Sequence, residues 1–319
     1  MTEPTAPPSA PYSYTLTLYP TAPFAFAHTL RRLGLLNTDG DSREVGARGF
    51  RKALRVVGTT VVCDVTSRGR VEAPELVITA YADVVFDETL VAALTDRVGF
   101  FLGLGDGLEP FYTLAADDPA FEPVVAALYG YHQVKFPTPF QGACWALVTQ
   151  RTPNRFAALT MRRLAERLGG AVTVDGETYH SFPDPQQLLA AEPGVILEAT
   201  NNTRKTERLA ALTDAFAVSD EDFLRSAPYR EVAKWLGDIK GLGAWSVDFI
   251  MAQALGRHEQ APWTDTWLLD AVSRVYTGGL SISLGDAKAL ATFYGAYQGY
   301  WAHYLKTAQR FAIAEEKRR

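Results

Sequence analysis

Hydrophobic and polar positions divide the chain into a first part with strand periodicity and a second part with helix periodicity. From Tyr12 to about Asp83, apolar residues alternate with polar ones or gather in β-branched runs, which is the pattern of strands. Gly58 and the segment 68–70 separate these runs as hairpin turns would, and the segment 23–35 has the pattern of one helix. Because no long crossover connects the runs, the predicted sheet is antiparallel.

After about Phe86 the apolar residues recur at helical spacing, and prolines fall between the helical runs. One strand-like insert, Ala171 to His180, interrupts this pattern and contains an Asp175-Gly176 turn. The sequence therefore predicts an α+β fold in three parts: a disordered tail (1–11), a small antiparallel N-terminal domain (12–100) and a mostly helical region (101–319).

The composition, with 47% hydrophobic and 21% charged residues, is that of a soluble globular protein, and no stretch is apolar enough to cross a membrane. The N-terminus has no basic region followed by an apolar core, so we expect a cytoplasmic protein. Cys63 and Cys144 are too few for a disulfide framework or a cysteine-ligated iron–sulfur cluster, and we expect both to be buried thiols.

The net charge of -5 argues against a protein that coats nucleic acid, because phosphate binding favours a strongly basic surface. The segment 151–170 is nevertheless rich in arginine. It is either a local DNA-binding patch or a solvated helix face.

Candidate chemistry concentrates in the segment 236–272. A helical pattern breaks at the sequence KGLG (240–243) and resumes from about Ala244 to Leu255. Glycines at the entry of a helix leave backbone amides facing outward, where the helix dipole favours a phosphate. The alternative is an ordinary turn between two helices of a bundle.

Asp265 follows a short polar loop and stands immediately before the next helical run. It is either an N-cap, since Asp is among the best capping residues, or a catalytic carboxylate. Trp245 and Phe249 share one helix face, and Trp263 and Trp267 lie close by in sequence. Each ring fits a core position, and together they fit the wall of a pocket for a flat base. The five histidines are scattered without the spacing of a zinc site.

A glycine hairpin, a helix and then an Asp at the next helix start resemble the helix-hairpin-helix DNA glycosylase superfamily. The resemblance is strongest to its 3-methyladenine DNA glycosylase II branch, with the helix-hairpin-helix at about 231–255. Asp265 falls on that family's catalytic acid. Trp245 stands where relatives that cleave the strand carry a Schiff-base lysine, so the resemblance implies hydrolysis without lyase chemistry.

The resemblance also implies roles for single residues. Amides of the hairpin would grip a DNA phosphate, backbone carbonyls would hold a structural sodium or potassium ion, aromatic rings would line the base pocket, and a loop would insert a wedge. Lys240 replaces the usual proline of the hairpin and adds a cation for the phosphate. The resemblance assigns Gly241, Gly243 and Ser246 to the phosphate, and Gly237, Ile239 and Leu242 to the cation. It assigns Trp245, Phe249 and Tyr297 to the base pocket, and Gln150 and Arg151 to the wedge loop.

The implied function is a monofunctional DNA glycosylase that flips out and excises alkylated bases, chiefly of the 3-methyladenine type, in base excision repair. We expect damaged double-stranded DNA as its partner, no membrane, a monomer, a bacterial cytoplasmic location, no catalytic cofactor and no iron–sulfur cluster. Two alternatives stay open: an oxidised-base glycosylase of the same superfamily, and a non-catalytic helix-hairpin-helix DNA-binding module. Thr264 and Thr266, which flank the acid where other residues are familiar, put the lesion range in question.

Overall fold

A five-stranded antiparallel sheet forms the N-terminal part of the chain, which confirms the predicted sheet. A computed structural model describes residues 11–35, 43–192 and 194–317, so the predicted tail lies outside the described residues apart from Pro11. The strand order is β1-β5-β4-β3-β2. The strands are β1 (Tyr12–Leu18), β2 (Arg43–Val45), β3 (Gly49–Val56), β4 (Thr59–Ser67) and β5 (Leu76–Ala82).

Both faces of this sheet are covered. Alternate residues of β3 and β4, such as Leu54 and Val61, pack with helices α1 (Phe26–Leu35) and α2 (Glu88–Leu102). On the other face, Ala53 and Val62 pack against Val172 of a hairpin formed by β6 (Ala171–Val174) and β7 (Glu177–His180). The predicted strand-like insert is thus confirmed, and it covers a sheet that precedes it by a hundred residues.

Helices make up the rest of the chain, and they gather into two apolar clusters. The first cluster is built mainly from α5, α6, α9, α11 and α12, and the second from α3, α4, α13, α14 and α15. The helices are α3 (Glu109–Ala116), α4 (Glu122–Ala127), α5 (Pro139–Val148), α6 (Asn154–Leu168), α7 (Pro185–Leu189), α8 (Val195–Thr200), α9 (Thr203–Ala217), α10 (Glu221–Ser226), α11 (Tyr229–Asp238), α12 (Ala244–Phe249), α13 (Thr266–Tyr276), α14 (Leu284–Phe293) and α15 (Gln298–Glu316).

The predicted boundary at residue 100 falls inside α2, so the sheet and the helical region are joined without a linker at this point. Cys63 and Cys144 are both buried free thiols, as predicted. Among the described residues, no helix combines the length and the apolar character that a membrane span needs.

The predicted helical hairpin is present as α11, a turn, and α12. After α12 the chain continues through one π-helical turn, Ile250–Ala254, which Leu255 closes by donating its N–H to the carbonyl of Ile250 at 2.9 Å. This turn packs tightly on α5, because a Cβ on Gly142 would lie 2.3 Å from the Cβ of Ala254. Gly142 therefore sets how closely the hairpin approaches the rest of the first helical cluster.

Gly241 allows the turn of the hairpin in two ways. Its φ of +103° lies in the region that L-residues rarely adopt. A Cβ at this position would also lie 2.7 Å from the Cγ of Arg208, which belongs to α9. The turn is therefore both left-handed and pressed against the stem of an arginine.

We expect Gly241→Ala to lower the free energy of unfolding by about 1–3 kcal/mol, because the alanine adds backbone strain and displaces Arg208. Gly237→Ala is the matched control, since Gly237 lies in α11 and has open space around the missing Cβ. The control should be neutral or stabilising by up to about 1 kcal/mol. Urea unfolding of the two variants measures this difference, and equal stabilities would contradict the assigned turn geometry.

His258 is a partly buried titratable group, with both ring nitrogens buried, in the loop that joins the π-helical turn to Asp265. Neither of its ring nitrogens has a hydrogen-bond partner among the described residues, and its ring lies 3.9 Å from that of Tyr300, centre to centre. Burial lowers the pKa of His258 to about 4, against the opposing attraction of Asp106. The folded protein therefore keeps this imidazole neutral where an unfolded chain would protonate it.

We expect the free energy of unfolding to be roughly 2 kcal/mol lower at pH 5 than at pH 8 on account of this residue. The free energy of unfolding falls toward low pH because the unfolded chain binds the proton first. Its histidine has the ordinary pKa of 6.5, whereas the folded protein binds the proton only near pH 4. Urea unfolding at both pH values measures the loss. His258→Phe should remove part of the dependence; an unchanged dependence in that variant would contradict the assignment.

Candidate active site and nucleic-acid interface

The hairpin presents backbone amides at the start of α12. Leu242 donates its N–H to the carbonyl of Ile239 at 3.1 Å, and Val247 donates to Gly243 at 3.0 Å. Among the described residues, no acceptor receives the N–H groups of Gly241, Gly243 or Ser246. Gly243 is exposed, whereas Ser246 is only 2% exposed. The amide of Gly243 is therefore the most accessible of the three predicted phosphate ligands.

Gln150 connects the hairpin to the loop that follows α5. Its side-chain amide donates to the carbonyl of Gly241 at 2.8 Å and to the hydroxyl of Ser246 at 3.1 Å. Its carbonyl oxygen accepts from Arg208 at 2.5 Å. With these contacts the Gln150 side chain points into the protein, and it supports the hairpin instead of projecting as a wedge.

Arg151 is the exposed member of the predicted wedge pair. It has a φ of +51°, which is uncommon for a residue with a side chain and turns it outward at the tip of the loop. Lys205 of α9 holds the base of this loop, since its ammonium group donates to the carbonyl of Val148 at 2.5 Å. The loop is thus anchored at its base and presents one guanidinium at its tip.

The three carbonyls predicted to hold a cation belong to the end of α11 and the hairpin turn. Gly237 lies within α11, Ile239 is its C-cap, and Leu242 ends the turn. The carbonyl of Ile239 already accepts from Leu242, but a carbonyl oxygen has a second lone pair. Neutral backbone carbonyls are the donors that bind sodium or potassium in proteins, so the donor set fits such an ion.

Asp265 caps α13 and also forms an ion pair. One carboxylate oxygen accepts the N–H of Trp267 at 3.0 Å, so the N-cap interpretation is confirmed. The other oxygen accepts from the ammonium group of Lys306 on α15. The carboxylate is therefore held in one orientation from two sides.

A link between α12 and the loop before α13 sets the position of this acid. Asp248 of α12 accepts from the backbone N–H of Thr264 at 3.2 Å and from its hydroxyl at 2.7 Å. Because Thr264 directly precedes Asp265, the hairpin helix and the carboxylate are positioned as one unit.

Asp265 faces a cavity of about 730 Å³ where the two helical clusters meet. Trp245 and Phe249 of α12 also line it, with their rings stacked at 5.3 Å and 27°. Phe136 meets Phe249 edge-on at 6.0 Å and completes an aromatic wall. The cavity thus combines flat apolar surface with one carboxylate, as a site for a ring attached to a sugar requires.

The ring of Tyr297 packs outside the cavity that Asp265 faces. This residue closes a short 3₁₀ turn, Gly295–Tyr297, and its ring lies 6.2 Å from that of Phe111 in the second helical cluster. It is not among the residues that line the cavity. Its assignment to the base pocket therefore stays a prediction.

The cavity contains one further aromatic residue that the sequence proposed for a pocket wall and several cations that it did not. Trp267, two positions after Asp265, lines the cavity and is 51% exposed. Lys306 and Arg310 also line it from successive turns of α15, and Arg32 lines it from α1. The cations lie on helices remote in sequence, and no local pattern marks them.

Burial perturbs two of these cations. It lowers the pKa of Lys306, although the nearby Asp265 opposes this shift. It also lowers the pKa of Arg310 to about 10, and the neighbouring Arg32 adds to the effect by charge repulsion. The cavity floor is therefore a poorly solvated region that holds several positive groups.

No protein family model matches the chain. A DNA-3-methyladenine glycosylase of Bacillus subtilis (strain 168) is 21% identical over 204 residues, which are 63% of this chain and 67% of that protein.

Solved structures extend the similarity to most of the chain. A 3-methyladenine DNA glycosylase from Archaeoglobus fulgidus has a TM-score of 0.78 at 20% identity, over 93% of this chain and 99% of that one. An 8-oxoguanine glycosylase/lyase from Clostridium acetobutylicum has a TM-score of 0.68 at 15% identity, over 94% of this chain and 99% of that one. The chain has the fold of the helix-hairpin-helix DNA glycosylase superfamily.

Proposed function

We propose that the protein is a monofunctional DNA glycosylase that removes damaged bases from double-stranded DNA by hydrolysis of the N-glycosidic bond. One observation carries the proposal: the carboxylate of Asp265 faces the same cavity as the stacked rings of Trp245 and Phe249. The hairpin that supplies these rings also presents its free amides at the start of the same helix. The names of the similar proteins support a glycosylase activity.

The hairpin binds DNA through its backbone in this proposal. The N–H groups of Gly241, Gly243 and Ser246 donate to one phosphate, and the partial positive charge of the helix start adds to the attraction. Lys240 is exposed beside them and neutralises the same phosphate. A sodium or potassium ion on the carbonyls of Gly237, Ile239 and Leu242 supplies further positive charge to the DNA backbone.

Base flipping brings the damaged nucleotide into the cavity. Flipping costs a few kcal/mol, and less for a damaged or mismatched pair, so the lesion itself contributes to selection. Arg151, at the tip of its loop, fills the gap left in the duplex, where a guanidinium can stack on the neighbouring bases. Trp245 and Phe249 receive the flipped ring by stacking.

Asp265 then stabilises the reaction electrostatically. As the base leaves, C1′ of the deoxyribose gains positive charge as in other glycosyl transfers, and a fixed carboxylate nearby lowers the energy of that state. Asp265 also orients the attacking water. Since Trp245 occupies the hairpin position of the Schiff-base lysine in strand-cleaving relatives, the hairpin offers no amine at that position for a covalent intermediate, and Lys240 lies five residues earlier.

Two related proteins are named for 3-methyladenine, which supports alkylated bases as the damaged substrates. The similarity to an 8-oxoguanine glycosylase/lyase favours a second candidate, an oxidised-base glycosylase. Product analysis on alkylated and on 8-oxoguanine duplexes separates the two candidates.

Asp265→Asn tests the chemistry. Asparagine retains the N-cap of α13 but not the negative charge, so we expect excision to fall by about 100- to 1,000-fold while binding to abasic-site DNA persists. Base release from methylated duplex DNA measures the first effect, and gel shift measures the second. Asp270→Asn, on the exposed side of the same helix, is the control and should excise normally. Near-normal excision by Asp265→Asn would refute the catalytic role of Asp265, whereas DNA binding without excision by the wild-type protein would favour a non-catalytic DNA-binding module.

Lys240→Gln tests the hairpin as the DNA contact. We expect several-fold weaker binding to undamaged duplex and a slope of log K against log salt that is smaller by about 1, because one phosphate contact is lost. Lys288→Gln, which removes an exposed lysine from α14, should leave both quantities unchanged. Fluorescence anisotropy at several salt concentrations measures them. Equal slopes for the two variants would place the DNA elsewhere on the protein.

A further inference from the structure

The charged side chains that line the cavity are almost all basic. Among the described residues, five cations and one carboxylate, Asp265, line it. The cations are Arg32, Lys135, Lys306, Arg310 and Lys317. This excess of positive charge is unexpected in a site for cationic alkylpurines, and it stands in a protein whose net charge is -5.

Few of these cations are neutralised by other residues. Lys306 pairs with Asp265, and Lys135 lies 3.4 Å from the carboxylate of Asp106. Arg32 is 6% exposed, and its Nε has no hydrogen-bond partner within the described part of the chain. Arg310 is attracted by Asp265, whose carboxylate already pairs with Lys306. Arg32 thus lacks an acceptor at its Nε, and Arg310 shares its one nearby carboxylate with a buried lysine.

An unpaired buried cation is costly for a folded protein, because it loses its hydration without gaining an acceptor. Arg32 and Arg310 also repel each other. Such an arrangement is compatible with a stable protein when a ligand supplies the missing acceptors. The ligand of this cavity therefore brings oxygen or nitrogen lone pairs, and it brings no positive charge of its own.

We propose, on the basis of the proposed glycosylase function, that the cavity selects uncharged bases with carbonyl oxygens, such as deaminated purines, and that Lys306 donates a proton to the departing base. Arg32 and Arg310 bind the carbonyl oxygens of the flipped ring. A cationic alkylpurine, in contrast, meets three positive groups and a carboxylate that is already paired.

The contact between Lys306 and Asp265 suits the chemistry of an uncharged leaving group. The bond between C1′ and the base nitrogen breaks, its electron pair goes to the base, and a proton from Nζ of Lys306 goes to the same base. The oxygen of water forms the new bond to C1′, and a water proton passes to Asp265. Because the two side chains are in direct contact, that proton returns from Asp265 to Lys306. The net reaction consumes one water and leaves both groups as they began.

A cationic base needs no such proton, because it already leaves as a neutral molecule. Lys306 can only repel it. Removal of the Lys306 ammonium group should therefore change the excision of the two classes in opposite directions.

Single-turnover excision from three duplexes tests this proposal: one with hypoxanthine (uncharged, with a carbonyl), one with 1,N6-ethenoadenine (uncharged, without a carbonyl) and one with 7-methylguanine (cationic). We expect the wild-type protein to release hypoxanthine at least about ten times faster than either other base. Lys306→Met should slow hypoxanthine release by about 100-fold or more, as expected for loss of a general acid. It should leave 7-methylguanine release unchanged or faster.

Lys288→Met is the matched control, since Lys288 is exposed on α14 and is not among the residues that line the cavity. It should preserve the order of the three substrates. Equal slowing of hypoxanthine and 7-methylguanine by Lys306→Met would show a merely structural role for Lys306 and overturn the proposal. Faster wild-type release of 7-methylguanine than of hypoxanthine would overturn it as well. Release of none of the three bases, and of neither 3-methyladenine nor 8-oxoguanine from matched duplexes, would refute the proposed function itself, which is a distinguishable result.

Lys306→Arg keeps the test informative if the methionine variant does not fold. The protonated lysine is the active form, so the wild-type rate on hypoxanthine should fall as the pH rises through a pKa that burial has lowered. Arginine keeps the positive charge but does not give up its proton, so Lys306→Arg should release hypoxanthine slowly and lose the fall in rate with rising pH. The same fall of the hypoxanthine release rate with rising pH in both proteins would exclude Lys306 as the proton donor.

Discussion

The contact of Gln150 with the hairpin turn is the interaction on which the proposed DNA-binding surface depends. One side-chain amide bonds to the turn and to the first residues of α12, while its oxygen is held by α9. The wedge loop, the hairpin and α9 therefore share a single polar junction. Gly241 is the residue that makes it possible, because any larger side chain would displace Arg208 from this junction. The hairpin amides proposed to bind phosphate and the loop proposed to carry the wedge are thus fixed relative to each other.

Local patterns predicted the parts of this structure that depend on near neighbours in sequence. The antiparallel sheet, the β6–β7 insert and the interrupted helix at 240–243 all follow from periodicity and turn residues. Asp265 as an N-cap follows in the same way. Trp245 and Phe249 were predicted to share a face because they are four residues apart on a helix, and their rings do stack. Each of these predictions needed only a short segment.

The remaining parts depend on contacts between remote segments. Lys306 reaches Asp265 from 41 residues away, and nothing in either segment signals the partner. Gln150 was assigned to a wedge by resemblance, but its partners come from α9 and the hairpin, which the sequence does not place near it. Tyr297 was assigned to the pocket, and a short turn before α15 sends its ring to Phe111. Side-chain direction after an irregular turn is not encoded in periodicity.

The position of Arg32 has a consequence for how the protein is made. Helix α1, near the start of the chain, lines the cavity together with α15 near its end, and Arg31 donates to the carbonyl of Phe311 at 3.0 Å across 280 residues. Closing so long a loop is entropically costly, and contacts of this range form late in folding. During synthesis the sheet and the hairpin can form while α15 is still inside the ribosome. The proposed base site is therefore completed only when α15 emerges, so that a nascent chain carries the hairpin before it carries the complete cavity.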